Sequence, residues 1–92
     1  MKIFKLIPIK ENFSHPDWKY SDKQNVILDI RADSEINARN LAFGKYGKPA
    51  IVRSLNQATQ RSPWIKPELV KCVEVGNDNS SVEEIINIEN MP

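Results

Sequence analysis

A strand that runs directly into a capped helix constrains this chain more than any other feature. Across Asn25–Ala32, Val26, Leu28, Ile30 and Ala32 alternate with Ile27, Asp29 and Arg31. Strand side chains point to the two faces in turn, so one face is fully apolar and the other carries charge beyond Ile27. Asp33-Ser34-Glu35 follows at once. Asp33 or Ser34 can accept a bond from the free amides of a first helical turn. Glu35 sits where the positive end of the helix dipole favours an acid. At about 100° per residue, Ala38, Leu41, Ala42 and Tyr46 share one face of the helix. The two alanines let it lie close to a sheet. Ile36 and Phe43 add a second stripe, so the expected buried face is wide, and Asn37 and Asn40 take the polar arc. Gly44 and Gly47 weaken the helix, and Pro49 stops it.

Other elements assemble around this unit. Lys2–Ile9 alternates as a strand, with Phe4 and Leu6 opposite Ile3, Lys5 and Ile7, and Pro8 confines it to an end or an edge. Glu11–Lys23 is polar and proline-containing, a loop whose only large anchors are Trp18 and Tyr20. Leu69–Val75 is a third strand. Over Pro49–Pro67 three readings stay open. Ile51, Leu55 and Ala58 suit a short helix, Ile51–Leu55 suits a short strand, and Ser62-Pro63-Trp64 argues for an anchored loop. Gly76-Asn77-Asp78-Asn79 is a turn. Ser80-Ser81-Val82-Glu83 resembles a capping box, so a short helix through Ile88 or a frayed tail follows it. The expected fold is α+β: a two-layer β-β-α-loop-β arrangement, with a three-stranded antiparallel sheet and one main helix on one face. Residues 1–76 form the domain, and 77–92 form an acidic C-terminal tail.

A chain of 92 residues fits one domain and leaves no room for a cleft between two lobes. Cys72 is the only cysteine, which excludes an internal disulfide and a cysteine-based zinc site. The apolar run near Lys2 and Lys5 is broken by Pro8 and Lys10, and no small-residue cleavage site follows, so it makes a poor signal peptide. No stretch approaches the roughly 18 apolar residues of a membrane span. The expected location is the cytoplasm. Charge is distributed unevenly. All thirteen basic residues and seven of the twelve acids lie in residues 1–71, and the last 21 residues carry five acids and no base. Residues 36–67 hold six cations and no acid. Such asymmetry marks either a nucleic-acid face or an acidic tail that folds back and neutralises the body.

Several motifs together carry a resemblance. Trp18 and Ser21 precede the second strand. Arg31-Ala32, Ser34-Glu35, Ala38-Arg39 and Ala42-Phe43 mark the helix, and Pro63-Trp64 precedes Leu69-Val70-Lys71-Cys72. In these the chain resembles a group of small uncharacterised bacterial proteins, from about Lys2 to Val75. The resemblance implies the single-domain α+β fold and brings no established activity with it.

No residue set announces catalysis. His15, the only histidine, lies in His15-Pro16-Asp17, the composition of a surface turn, without partners for base or ligand chemistry. Cys72 sits in a strand among valines, where a buried thiol is inert. Three glycines cannot build a phosphate loop. No catalytic, cofactor-binding or metal-binding residue is therefore assigned. Two binding readings remain. In the first, the protein is a non-catalytic interaction module, paired with itself as a homodimer or with another protein. Its candidate surface is Ile3, Ile7 and Ile27 on the wet sheet face, with Trp18 and Trp64 as anchors or hot spots. In the second, Arg39, Lys45, Lys48, Arg53, Arg61 and Lys66 contact nucleic acid, with Tyr46 or Trp64 stacking on bases.

Overall fold

A computed structural model describes residues 1–48 and 61–92. Among them the chain forms one α-helix and a four-stranded antiparallel sheet. The strands are β1 (Lys2–Pro8), β2 (Val26–Ala32), β3 (Val70–Asn77) and β4 (Glu84–Asn90), and the helix is α1 (Glu35–Tyr46). Sheet order is β3-β1-β2-β4, which leaves β3 and β4 at the edges.

The alternation in the sequence is the alternation in space. Val26, Leu28, Ile30 and Ala32 are buried on β2, and Phe4, Leu6 and Pro8 on β1. Phe4 pairs with Ile30 and Leu6 with Leu28, so cross-strand apolar pairs fill the same face. Each such side chain contributes about 1.5–3 kcal/mol when fully buried. Ser34 caps α1 by accepting a bond from the Asn37 amide at 3.1 Å. Ala38 and Ala42 are fully buried, and their small side chains bring α1 close to the sheet. Gly47 ends the helix in extended backbone, and the position requires glycine because a Cβ there would come within 2.5 Å of the Phe43 carbonyl oxygen and ring. Gly47 also bridges to Ser21, and Lys48 donates to the Tyr20 carbonyl at 2.8 Å, tying the helix end to the Trp18 loop.

Two expectations change. The sheet has four strands instead of three, because residues 84–90 of the expected acidic tail form β4 against β2. The cap-like Ser80-Ser81-Val82-Glu83 starts no helix. The β-branched Ile85, Ile86 and Ile88 gain more from pairing beside Leu28 and Ile30 than from an isolated helical turn. The helix is also narrower than its second stripe implied. Ile36 is 70% exposed, on the side of α1 that leaves the sheet. The readings for Pro49–Pro67 fall mostly outside the described residues. From 61 onward the segment is an anchored loop with a 3-10 turn at Pro63–Ile65.

The acidic tail does fold back. Arg31 Nε donates to Asp78 Oδ2 at 2.7 Å, and Arg31 Nη1 donates to Glu84 Oε1 at 2.8 Å and the Val82 carbonyl at 3.2 Å. Glu83 Oε2 accepts from the Asp33 amide and from Asn37 Nδ2, each at 2.9 Å. These contacts carry the connection from β3 across the sheet end to β4.

Candidate interaction surface

The inner face ends in an aromatic cluster. Trp64 is fully buried and Trp18 nearly so, and their rings meet edge to face at 5.9 Å. Tyr46 lies 5.7 Å from Trp64, and Phe13 5.7 Å from Trp18. Most polar groups in this cluster have internal partners. Trp64 Nε1 donates to Ser21 Oγ at 2.8 Å, and Ser62 Oγ accepts from the Trp64 amide. Arg39 is buried to 5% exposure, donating from Nε to Glu35 Oε2 at 2.8 Å and from Nη1 to the Trp64 carbonyl at 3.1 Å. Trp18 Nε1 is buried and has no hydrogen-bond partner among the described residues. Both tryptophans thus pin loops to the core and present no ring to a partner.

The cations expected for nucleic acid are largely engaged within the chain. Arg39 is internal. Arg61 Nη1 donates to the Tyr20 hydroxyl at 2.7 Å, with its guanidinium 5.5 Å from that ring. Lys66 pairs with Asp17, and Lys48 lies 3.6 Å from Asp22. Lys45 sits 5.6 Å from the Tyr46 ring centre. Arg53 lies outside the described residues. The tryptophans do not join these cations in a shared stacking platform.

His15 caps a 3-10 helix at Pro16–Tyr20 by accepting from the Asp17 amide, a turn-forming role. Cys72 lies on the inner face opposite Leu6. Burial pushes its thiol pKa up, with Glu35 adding in the same direction and Arg39 opposing, so thiolate is scarce at neutral pH. Among the described residues no pocket opens, and no three His, Cys, Asp or Glu side chains gather as metal ligands.

The outer face of the sheet is built differently. Register places its side chains in three rows across the strands β3, β1, β2 and β4. The first row is Gly76, Ile3, Arg31 and Glu84, and the second is Val73, Lys5, Asp29 and Asn87. The third is Lys71 beside Ile7 and, across the sheet, Ile27 beside Glu89. Ile3, Ile7, Ile27 and Val73 are partly exposed, and among the described residues no layer covers them. Lys5 Nζ lies 3.2 Å from Asp29 Oδ1 at the centre. Lys71 and Glu89 are exposed at opposite edges. Ile3, Ile7 and Ile27 therefore share one surface, as their spacing implied, and Trp18 and Trp64 lie on the other side of the sheet. Val73 and Arg31 belong to the same outer surface without having been singled out. For Val73 the signal was its alternation with Cys72, and for Arg31 its place two residues beyond Asp29.

No family model, curated protein or solved structure matches the chain. Part of the motif set meets in one place, while Arg31 and Lys71 lie on the outer sheet face. Trp18, Ser21, Glu35, Arg39 and Trp64 form the connected cluster beneath α1, and Ala38 and Ala42 pack in the same core. Their roles here are those of a scaffold.

Proposed function

We propose that the protein is a small non-catalytic interaction module of the bacterial cytoplasm, binding a protein through the outer face of its sheet. One observation carries this reading: Ile3, Ile7, Ile27 and Val73 share a face that no other layer covers among the described residues. A sheet stabilised by packing on one side can leave the other to water, and it then usually carries polar side chains. Four aliphatic side chains there, grouped around the Lys5–Asp29 pair and flanked by Lys71 and Glu89 at the edges, mix apolar area with charge as association surfaces do. The nucleic-acid reading is less favoured, because Arg39 and Lys66 are paired with Glu35 and Asp17, and Arg61 donates to the Tyr20 hydroxyl. Among the described residues three of the segment's five candidate cations, Arg39, Lys48 and Lys66, have acidic partners.

A photo-crosslinking amino acid placed at Ile27, compared with one at exposed Asn40 on the back of α1, tests the reading in living cells. Protein adducts from position 27 and none from position 40 are expected. Adducts at neither position would overturn it. Salt-dependent retention on heparin, lost on reversing Lys45 and Lys48 together, would favour nucleic acid instead.

A further inference from the structure

We infer that the partner of the outer face is a second copy of this chain, stacked sheet on sheet about a two-fold axis parallel to the strands. This deepens the interaction reading and rests on it.

Charge arrangement supports the inference. Two copies can stack face to face about an axis parallel to the strands or one perpendicular to them. A parallel axis lays each β3 over the partner's β4 and each β1 over the partner's β2. Using the register given above, Lys71 then meets Glu89 of the other copy, Lys5 meets Asp29, and Ile7 meets Ile27. Every charged position in these two rows faces its opposite, and each contact occurs twice, as a closed two-fold interface requires. A perpendicular axis lays β3 over β3. Lys5 then meets Lys5, Asp29 meets Asp29, and Glu89 meets Glu84. Like charges in direct contact disfavour that arrangement. The charges of these two rows are thus self-complementary in one orientation only.

Electroneutrality across the stack also answers the cost of covering charge. Lys5 and Asp29 are already paired and partly buried, with side chains 32% and 21% exposed. In the stack each gains a second opposite charge as it loses water, so no ion is left uncompensated. Lys71 and Glu89 lie at the rim, where their pairing selects orientation more than it adds affinity. Four strands about 4.8 Å apart and about 3.3 Å per residue give each face roughly 400 Å², so the dimer belongs at the small end of specific interfaces. Its association is correspondingly weak and concentration-dependent.

A charge swap between positions that do not touch within one chain tests this. Lys71 and Glu89 stand on opposite edge strands, separated by β1 and β2. Sedimentation equilibrium of the purified whole chain, up to about 1 mM, is expected to show a monomer–dimer equilibrium. Lys71→Glu and Glu89→Lys should each weaken the dimer about tenfold, since each turns two attractions into repulsions. The double variant should return to within about threefold of the wild type. Ile27→Lys should abolish the dimer and leave the circular dichroism spectrum unchanged.

A wild-type chain that stays monomeric overturns the inference, as does a double variant weaker than either single one. Species that grow beyond a dimer and survive Ile27→Lys would point to pairing of the β3 and β4 edges, and would overturn it too. The two levels separate cleanly. A monomeric purified chain whose position 27 still crosslinks a different protein in cells refutes self-association and keeps the interaction face. Absence of any adduct refutes both.

Discussion

Behind the sheet, Arg39 is almost inaccessible, and among the described residues it donates to Glu35 and to the Trp64 carbonyl. In front of the sheet, Lys5 and Asp29 pair at 3.2 Å with part of each side chain still open to water. The same β1 and β2 residues alternate between these two environments. The inner face uses charge to satisfy a loop carbonyl and to fix Trp64, so substitutions there should cost folding. The outer face sets Lys71 and Glu89 at opposite edges in no ion pair among the described residues, so substitutions of these two should spare folding and change association.

The comparison breaks most sharply at Trp64. Trp64→Ala removes a fully buried ring that touches Trp18 and Tyr46, together with its bond to Ser21 Oγ. A loss of about 3–5 kcal/mol is expected by urea denaturation, a large fraction of the stability of so small a domain. Ile27→Ala on the outer face should cost about 1 kcal/mol, because the side chain is only partly covered. Equal losses at the two positions would mean that the faces are not distinct.

Charge gives the second test. Arg39→Ala leaves the Trp64 carbonyl without its donor and should destabilise by about 1–3 kcal/mol. Lys5→Ala breaks a partly exposed pair and should cost about 0–1 kcal/mol. Denaturation midpoints of the two variants, measured side by side, check the order. Arg39 also marks where the sequence was misleading. Read as one of six cations in an acid-free stretch, it resembled a phosphate contact. Its spacing of three and seven residues from Ala42 and Tyr46, and of four from Glu35, was the available sign that it shares the buried face.

β4 was hidden for a different physical reason. The ladder shifts between Asp29 and Ile30, where Ile86 is the extra residue. A bulge adds one residue to a strand, so the inward-facing Ile85 and Ile88 stand three apart, the spacing of a helix, instead of two. With Ser80-Ser81 in front, the segment imitated a capped helix. β1, β2 and α1 were legible because regular alternation and a single cap meet no such interruption. Contacts between Trp64 and Ser21, 43 residues apart, leave no local trace at all.

Acid should loosen the back-folded tail before the core. The bond from Arg31 holds the Asp78 pKa below its ordinary 3.8, and the Asp33 amide, with Asn37, holds the Glu83 pKa below its ordinary 4.5. Both groups have depressed pKa values in the folded state, so their contribution is complete above the ordinary values. It fades as pH falls below 4.5 and is gone once pH has passed through the lowered folded-state values. Urea midpoints of the wild type should therefore decline over that range. An Asp78→Asn, Glu83→Gln variant should start lower and decline less. Parallel curves for the two proteins would show that the tail contacts carry none of the acid sensitivity.

The smallest effect has the opposite sign and tests a third surface, the back of α1. Gly44 lies in the last turns of the helix, exposed, and a Cβ built there meets nothing within 4 Å. Glycine in a helix interior gives up more backbone freedom on folding than alanine does. Gly44→Ala should therefore stabilise the protein by about 0.5–1 kcal/mol, read as a higher urea midpoint with an unchanged slope. It should leave the monomer–dimer equilibrium where it was, because position 44 lies on the helix layer and the proposed interface lies across the sheet. A change in association without a change in stability would move the binding surface to the helix and leave the outer rows of charge without a role.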